Sequence, residues 1–375
     1  MFATSLQRSL YQGFAKPFFF RRDPEDVHDR MCAIGEVLGE SRLIGRPLLC
    51  ALFAYEHPSL KSTVGGIRFP NPVGLSAGFD KNARLIQAIS AMGFGFEEVG
   101  SITGEPCEGN PKPRLWRLPE SKGLVVYYGL KNDGCQKIAS RLREQSFPIP
   151  IGTSIAKTNS PGTVSLETGI ADYKKAFQEF VDIGDYFTIN ISCPNAFGGE
   201  PFSDPERLDA LLTALDSVPT RKPIFLKLAA DLTTGDLDVL VTTADRHRVH
   251  GFILTNLTKD RTNPRIHKNE LEQVGKGGIS GKPLVGSSNV LVSHLYQMVG
   301  RRYSIIGVGG IFTAEDAYEK IKRGASLVQL ITGMIYEGPQ LIGEINRGLV
   351  RLLKQDGFEH IQQAVGTGNI GHAYD

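Results

Sequence analysis

The sequence predicts an α/β chain, a closed (β/α)8 TIM barrel preceded by an N-terminal helical extension. Three observations carry this. From about Ser62 onward, short apolar runs alternate with helix-length stretches, and eight of the runs read as buried strands. The first 61 residues hold no strand signature. The 375 residues exceed one barrel, which takes roughly 250, by about a hundred. The sequence therefore divides into a helical segment, 1–61, and a barrel, 62–375.

In the extension, Phe2, Leu6, Leu10 and Phe14 recur every fourth residue and share one helix face. Arg8, Lys16, Arg21 and Arg22 are the only charged side chains among the first 22 residues, and Phe18–Phe20 form an aromatic cluster beside the two last arginines. A second helix opens at Asp23-Pro24, with Asp as N-cap, Pro at the first helical position and Asp26 at the positive helix end. Val27, Met31, Ile34 and Leu38 form its apolar face, and a third apolar run spans Pro47–Tyr55. Two readings are open. The helices pack on the barrel, or they form a monotopic membrane foot with a cationic rim, able to admit an apolar substrate from the lipid.

The eight strand candidates are Pro72–Ala77, Phe96–Ile102, Ile149–Ile155, Tyr186–Ser192, Ile224–Leu228, Gly251–Thr255, Ser304–Val308 and Ser326–Ile331. Helix-length stretches separate most of them, among them Ala83–Met92, Ala171–Asp182, Pro205–Ser217 and Ala314–Arg323. The segment Asn71–Val73, just after Ile67–Phe69, is expected as a hairpin closing the barrel floor. No G-x-G-x-x-G follows the first strand, which weighs against an open dinucleotide-binding sheet.

Chemistry in such a barrel gathers at the C-terminal strand ends. There the sequence places Gly78, Asp80 and Lys81, then Gly100, Ser101 and Thr103, then Ser154 and Lys157. Asn190, Ser192, Cys193 and Asn195 follow the fourth strand, Lys227 lies on the fifth, and Thr255-Asn256 end the sixth. Gly309-Gly310 and Thr332-Gly333 close the series. The glycine turns after strands seven and eight sit where barrels commonly bind phosphate on backbone N–H groups. A phosphate site without a dinucleotide motif suits a mononucleotide such as FMN. Lys227, in mid-strand, requires an electronegative partner, either a flavin or a buried carboxylate; a Schiff-base lysine is a further alternative. Cys193 reads either as a small buried hydrophobe or as a positioned acid/base.

Composition bounds the rest. Hydrophobic residues make up 41% and charged residues 22%, enough core to exclude a disordered chain. The net charge of +2 gives no argument for nucleic acid. Five scattered cysteines without a C-x-x-C pair leave zinc and redox-pair readings unsupported, so no metal is expected. No run reaches 18 consecutive apolar residues, so no membrane-spanning helix is expected. Nothing in the sequence specifies an oligomeric state.

The residues resemble a known family. Asn71-Pro-Val-Gly-Leu-Ser-Ala-Gly-Phe-Asp-Lys81, Met92-Gly-Phe-Gly-Phe-Glu-Glu-Val-Gly-Ser101, Gly109-Asn-Pro-Lys-Pro-Arg-Leu-Trp-Arg-Leu-Pro119, Ser280-Gly-Lys-Pro-Leu284, Ile306-Gly-Val-Gly-Gly310 and Gly324-Ala-Ser-Leu-Val-Gln-Leu330 are similar to the dihydroorotate dehydrogenases. Asp23-Pro-Glu-Asp-Val-His28 resembles the second N-terminal helix of the quinone-linked, membrane-associated class. The resemblance, from about Leu6 to about Val365, implies an FMN-holding barrel that oxidises dihydroorotate to orotate, and a helical foot that delivers a membrane quinone. It implies flavin contacts at Ala77, Gly78, Lys81, Gly100, Ser101, Ser154, Asn190, Lys227, Thr255, Ser280, Gly281, Gly309, Gly310, Ile331 and Thr332. Lys81, Asn190, Asn195 and Asn256 would hold the substrate, Cys193 would be the base, and His28 and Arg117 would lie at the quinone end. The implied placement is peripheral on a bacterial inner membrane or a mitochondrial one, and the absence of a clear transit sequence favours the cytoplasmic face of a bacterial inner membrane.

Several positions depart from the family pattern. Cys193 stands where the quinone-linked class usually has Ser; a thiol, with a reference pKa of about 8.5, gives up its proton more readily than a hydroxyl. Val126 and Leu257 replace polar substrate contacts, Ser154 replaces an Asn, and the lid reads Ala196-Phe-Gly-Gly199. Lys131 is a candidate to meet the substrate carboxylate instead. These departures keep open a flavin oxidoreductase for another dihydropyrimidine or cyclic amide. A Lys227 Schiff-base lyase and a non-catalytic membrane flavoprotein are the alternatives from other classes.

Overall fold

The computed structural model describes residues 2–193, 195, 197–199 and 201–369, with backbone only for residues 2–4. The Phe2 side chain, the lid residues Pro194 and Ala196, and His372 therefore lie outside the described residues. Among them, strands are β1 (Ser62–Val64), β2 (Ile67–Phe69), β3 (Val73–Leu75), β4 (Phe96–Ile102), β5 (Leu115–Leu118), β6 (Gly123–Val126), β7 (Ile151–Ile155), β8 (Tyr186–Asn190), β9 (Ile224–Leu228), β10 (Gly251–Leu254), β11 (Gly278–Gly281), β12 (Ser304–Val308) and β13 (Leu327–Leu330). Eight of them close a parallel barrel in the order β3-β4-β7-β8-β9-β10-β12-β13, and β13 returns to β3 through Val328↔Val73. Each of the eight overlaps one of the expected strands. Buried on both faces, they read as continuous apolar runs.

The helices between strands start where side-chain oxygens can take the free N–H groups. Asp204 accepts from Arg207 N, Ser165 from Thr168 N and Thr313 from Asp316 N, and Thr233 forms a reciprocal capping box with Asp236.

The floor hairpin is shifted from its expected place. It pairs β1 with β2, because Gly65 and Gly66, at φ +57° and +81°, supply the tight turn that only glycine makes easily. Val73 instead enters the barrel, its N–H held by Asn71 Oδ1 at 3.0 Å. The hairpin plugs the barrel bottom with Val64 and Phe69 against Phe96, Tyr186 and Phe225. A three-stranded antiparallel sheet, β5-β6-β11, stands at the rim. The four residues of β11 pair with β6, and Ile279 sits opposite Val125, 154 residues earlier in the chain.

Before the barrel lie α1 (Phe2–Leu10), a π-helical turn Tyr11–Ala15, α2 (Lys16–Phe20), α3 (Pro24–Glu40) and α4 (Gly45–Phe53). Pro17, inside this first helical run, lacks an N–H and crowds the preceding turn, and the wider π turn sits directly before it. Asp23 caps α3 by accepting from Glu25 N and Asp26 N at 2.9 and 3.0 Å. Gly39 lets α3 lie against α5 (Ile86–Ala91): a Cβ there would stand 2.8 Å from Ala88 N. Polar clasps hold the extension to the barrel. Arg8 pairs with Glu344, Tyr11 donates to Ile335 O at 2.6 Å, and Gln12 donates to Tyr336 O at 2.8 Å.

Candidate active site

The C-terminal ends of the barrel strands open into one cavity of ≈ 640 Å³. Ala77, Gly78, Lys81, Gly100, Ser101, Asn190, Cys193, Asn195, Lys227, Thr255, Asn256, Ser280, Gly281, Gly309, Gly310, Ile331 and Thr332 all line it. Beyond the rim it continues between α3, α4 and the end of α2, past Phe20, Val27, Met31, Leu38, Leu49 and Leu52. His28 and Arg117 line the same cavity. One hollow therefore has a polar end in the barrel and an apolar end in the extension.

Beneath the polar end, Lys227 Nζ lies 3.0 Å from Glu98 Oε1 and 3.1 Å from Ser76 Oγ. Glu98 Oε2 accepts from Thr188 Oγ1 at 2.8 Å and Gln329 Nε2 at 3.1 Å. The partner that Lys227 requires is thus a buried carboxylate, and an Nζ committed to Glu98 and Ser76 is not presented to a substrate carbonyl as a Schiff base needs. Adjacent Glu97 points out of the barrel, since strand side chains alternate. Burial, and then the charge of Asp80, pushes the Glu97 carboxyl well above its usual range. Glu97 lies in the field of Asp80, whose carboxylate accepts from Arg84 N and Leu85 N at 2.9 and 2.6 Å. This fixes the turn that presents Lys81.

Burial lowers Lys81 to about 8. Its Nζ lies 3.0 Å from His28 Nε2 and 4.1 Å from the centre of the Tyr128 ring. Burial, followed by the Lys81 charge, holds His28 well below the usual range, so it is a neutral imidazole that accepts from Lys81. The Tyr128 hydroxyl is buried with no hydrogen-bond partner among the described residues.

Amides form the next layer. Asn190 Nδ2 donates to Ser101 Oγ at 2.8 Å, and Asn256 Nδ2 donates to Ser192 O at 2.9 Å. Asn195 Nδ2 donates to Val126 O at 2.8 Å. Cys193 stands between them at the cavity wall, within electrostatic range of the Lys157 ammonium. A nearby cation favours a thiolate. Lys157 also ties the lid, donating to Phe197 O at 2.9 Å, while Asn159 Oδ1 accepts from Phe197 N at 2.6 Å.

The glycine turns leave room that a side chain would fill. Gly309 and Gly310 have φ of +107° and +75°, and a Cβ on Gly310 would meet Val285 Cγ2 at 2.2 Å. Ser280 Oγ and Thr332 Oγ1 lie 2.8 Å apart beside them. The buried Thr255 hydroxyl has no partner among the described residues. A phosphate at the glycine turns and a heteroaromatic ring at Thr255 fit these features.

A model of the family described as dihydroorotate dehydrogenase matches residues 59–353. A protein of Gloeobacter violaceus named dihydroorotate dehydrogenase (quinone) is 40% identical over 358 residues, 95% of this chain and 98% of the relative. One of the same name from Natronomonas pharaonis is 38% identical over 96% of this chain and 99% of its own length. This chain belongs to the dihydroorotate dehydrogenase family. The crystal structure of the Eimeria tenella dihydroorotate dehydrogenase in complex with ferulenol superposes with a TM-score of 0.82 at 30% identity, covering 93% of this chain and 96% of that one. The dihydroorotate dehydrogenases are a flavoprotein family.

Ser154 is the exception among the residues expected at the cofactor. It does not line the cavity; among the described residues its short side chain bonds to Ser101 Oγ, at 2.8 Å, one layer behind the wall. Lys131 lines the cavity, but its Nζ lies 3.4 Å from Glu25 Oε1 and 3.8 Å from Asp29 Oδ2 on α3. In this structure its charge serves the foot. Sequence reasoning passed over Glu98 and the Glu25–Arg114 pair, which bonds at 2.7 and 3.0 Å. Two adjacent acids inside the apolar run Phe96–Ile102 were the available signal for Glu98.

Proposed function

We propose that this chain oxidises dihydroorotate to orotate at the polar end of the cavity and delivers the electrons to a quinone at the apolar end. The observation that carries this reading is the single cavity joining Lys81, Asn190, Cys193 and Asn256 to His28, Arg117 and the apolar face of α3. FMN is the cofactor proposed for the glycine turns, where it would supply the two-electron carrier between the two ends.

The chain's own residues do the rest. Lys81, as an ammonium ion, pairs with the substrate carboxylate. The amides of Asn190, Asn195 and Asn256 orient the ring, and Cys193 takes the C5 proton. Lys157 supports the thiolate and fastens the lid, which excludes water. Val126 and Leu257 line the substrate end without polar atoms in their side chains, which favours one second reading: a less polar dihydropyrimidine.

The membrane-facing part of the proposal rests on exposed apolar side chains. Phe14 is 75% exposed, Leu43 91% and Ile44 72%, and Leu6, Leu10 and Val37 are also exposed. Among the described residues no helix is long and apolar enough to cross a membrane. The proposed attachment is therefore in the interface, with Arg22 stacked over Phe18 at 4.2 Å as part of the cationic rim.

The test is anaerobic mixing of the purified yellow protein with dihydroorotate. Bleaching of the flavin absorbance, absent with a less polar dihydropyrimidine, is expected. Bleaching only by the less polar ring would replace dihydroorotate as the substrate.

A further inference from the structure

Lys320, on the helix Ala314–Lys322, is 2% exposed and lies outside the catalytic cavity. A buried ammonium ion ordinarily keeps a carboxylate partner. Lys320 instead donates to neutral oxygens, Ser288 Oγ and Asn289 Oδ1, both at 2.7 Å. The nearby carboxylates are committed elsewhere: Asp316 pairs with Lys282 at 2.7 Å and Glu319 with Arg323 at 2.7 Å. The helix Leu341–Gln355, which also packs on Ala314–Lys322, carries Glu344, Arg347, Arg351 and Lys354, of which Glu344 pairs with Arg8 and Arg351 with Glu315. The helix Val285–Val299 presents Ser288 and Asn289, and β12 carries no ionisable side chain.

One hydroxyl separates this lysine from the glycine turn. Ser288 Oγ accepts from Lys320 and donates to Val308 O at 2.5 Å, a carbonyl that also accepts from Thr255 N at 3.1 Å. That carbonyl belongs to the peptide whose N–H is that of Gly309. Hydrogen bonds into a peptide carbonyl polarise the N–H of the same peptide. A Cβ on Gly309 would stand 3.6 Å from Ser288 Cβ, so the hydroxyl-bearing side chain lies against the turn itself.

We propose that Lys320 is the buried countercharge for the cofactor phosphate, acting through Ser288 and the Val308–Gly309 peptide. It is a positioning residue, since it touches neither flavin nor substrate. The assignment rests on the mononucleotide reading above. Burial lowers the lysine to about 7, with Asp316 and Glu319 raising it and Arg323 and Lys282 lowering it. A phosphate dianion arriving at the turn favours the ammonium form, so protein and phosphate complete each other's charge.

The test titrates full-length protein, freed of flavin, with FMN and with riboflavin, which lacks the phosphate. In the wild type FMN binds more tightly; equal affinity would sink the mononucleotide reading and this proposal with it. In Lys320→Met the preference for FMN is expected to fall roughly tenfold or more, with riboflavin affinity held, and Lys320→Arg to restore it. A Met variant that keeps the full FMN preference, or loses both flavins equally while remaining folded, overturns the lysine's role alone. Should the Met variant fail to fold, the wild type decides. Between pH 7.5 and 9.5 the FMN-to-riboflavin affinity ratio falls as the lysine loses its proton; a flat ratio overturns the proposal. Lys81 titrates in the same range but affects both flavins and cancels in the ratio.

Discussion

The barrel rim and the helical foot solve opposite problems. At the rim, the charged and amide groups find partners inside the chain, while hydroxyls such as those of Tyr128 and Thr255 are left open among the described residues: Lys227 has Glu98 and Ser76, Glu98 also has Thr188 and Gln329, and Asn190 has Ser101. In the foot, one set of apolar side chains lines the cavity while another, Phe14, Leu43 and Ile44 among them, faces outward. Satisfied polar networks hold a site rigid, whereas an exposed apolar face marks a surface completed by something else. A single cavity crosses from one region to the other, which is the arrangement a polar substrate and a lipid-borne one require.

The sharpest way to break the polar side is Cys193→Ala. The rate of flavin reduction by dihydroorotate is expected to drop roughly 10²- to 10⁴-fold, with the visible spectrum of the bound flavin retained. Stopped-flow absorbance reads it. Next is Lys227→Met, which strands the Glu98 carboxylate in the barrel; a loss of about 3–5 kcal/mol in unfolding free energy by denaturant titration is expected.

The joint between the regions is Glu25. Burial opposes its ionisation, but the Arg114 hydrogen bond and charge, with Lys112 and Lys131, bring it down to about 2. A depressed carboxyl contributes stability that is complete above its unfolded value and lost as pH falls through the folded one. Docking of α3 should therefore weaken between about pH 4.5 and 2. Glu25→Gln should speed amide exchange in α3 while leaving the barrel strands protected.

On the foot side, Phe14, Leu43 and Ile44 changed together to Ser should weaken vesicle binding on the order of tenfold, measured by co-sedimentation. Flavin reduction by dihydroorotate should not change. The smallest effect is on pH dependence: as Lys81 loses its proton above about 8, KM for dihydroorotate should rise, and Lys81→Met should raise KM at every pH and flatten that rise.

The barrel was legible in the sequence because parallel strands covered on both faces leave unbroken apolar runs, and because the rim residues follow those runs directly. What escaped was long-range. Glu98 and Lys227 are 129 residues apart, and β11 is too short and too glycine-rich to announce its pairing with β6. The foot was half legible. The face Val27–Met31–Ile34–Leu38 marked a buried surface, and it lines the cavity; the choice between packing and exposure for Leu6, Leu10 and Phe14 needed the tertiary arrangement. Lys131 shows the limit most clearly, since its ion pair with Glu25 joins segments that no local pattern connects.

The most direct test of one cavity with two ends is steady-state turnover with dihydroorotate and a short-chain ubiquinone, following orotate and quinol together. The expected result is one orotate formed for each quinone reduced, with His28→Ala and Arg117→Ala slowing quinone reduction while dihydroorotate still bleaches the flavin. Orotate formation that proceeds at full rate without quinone consumption, or no orotate at all, would contradict it.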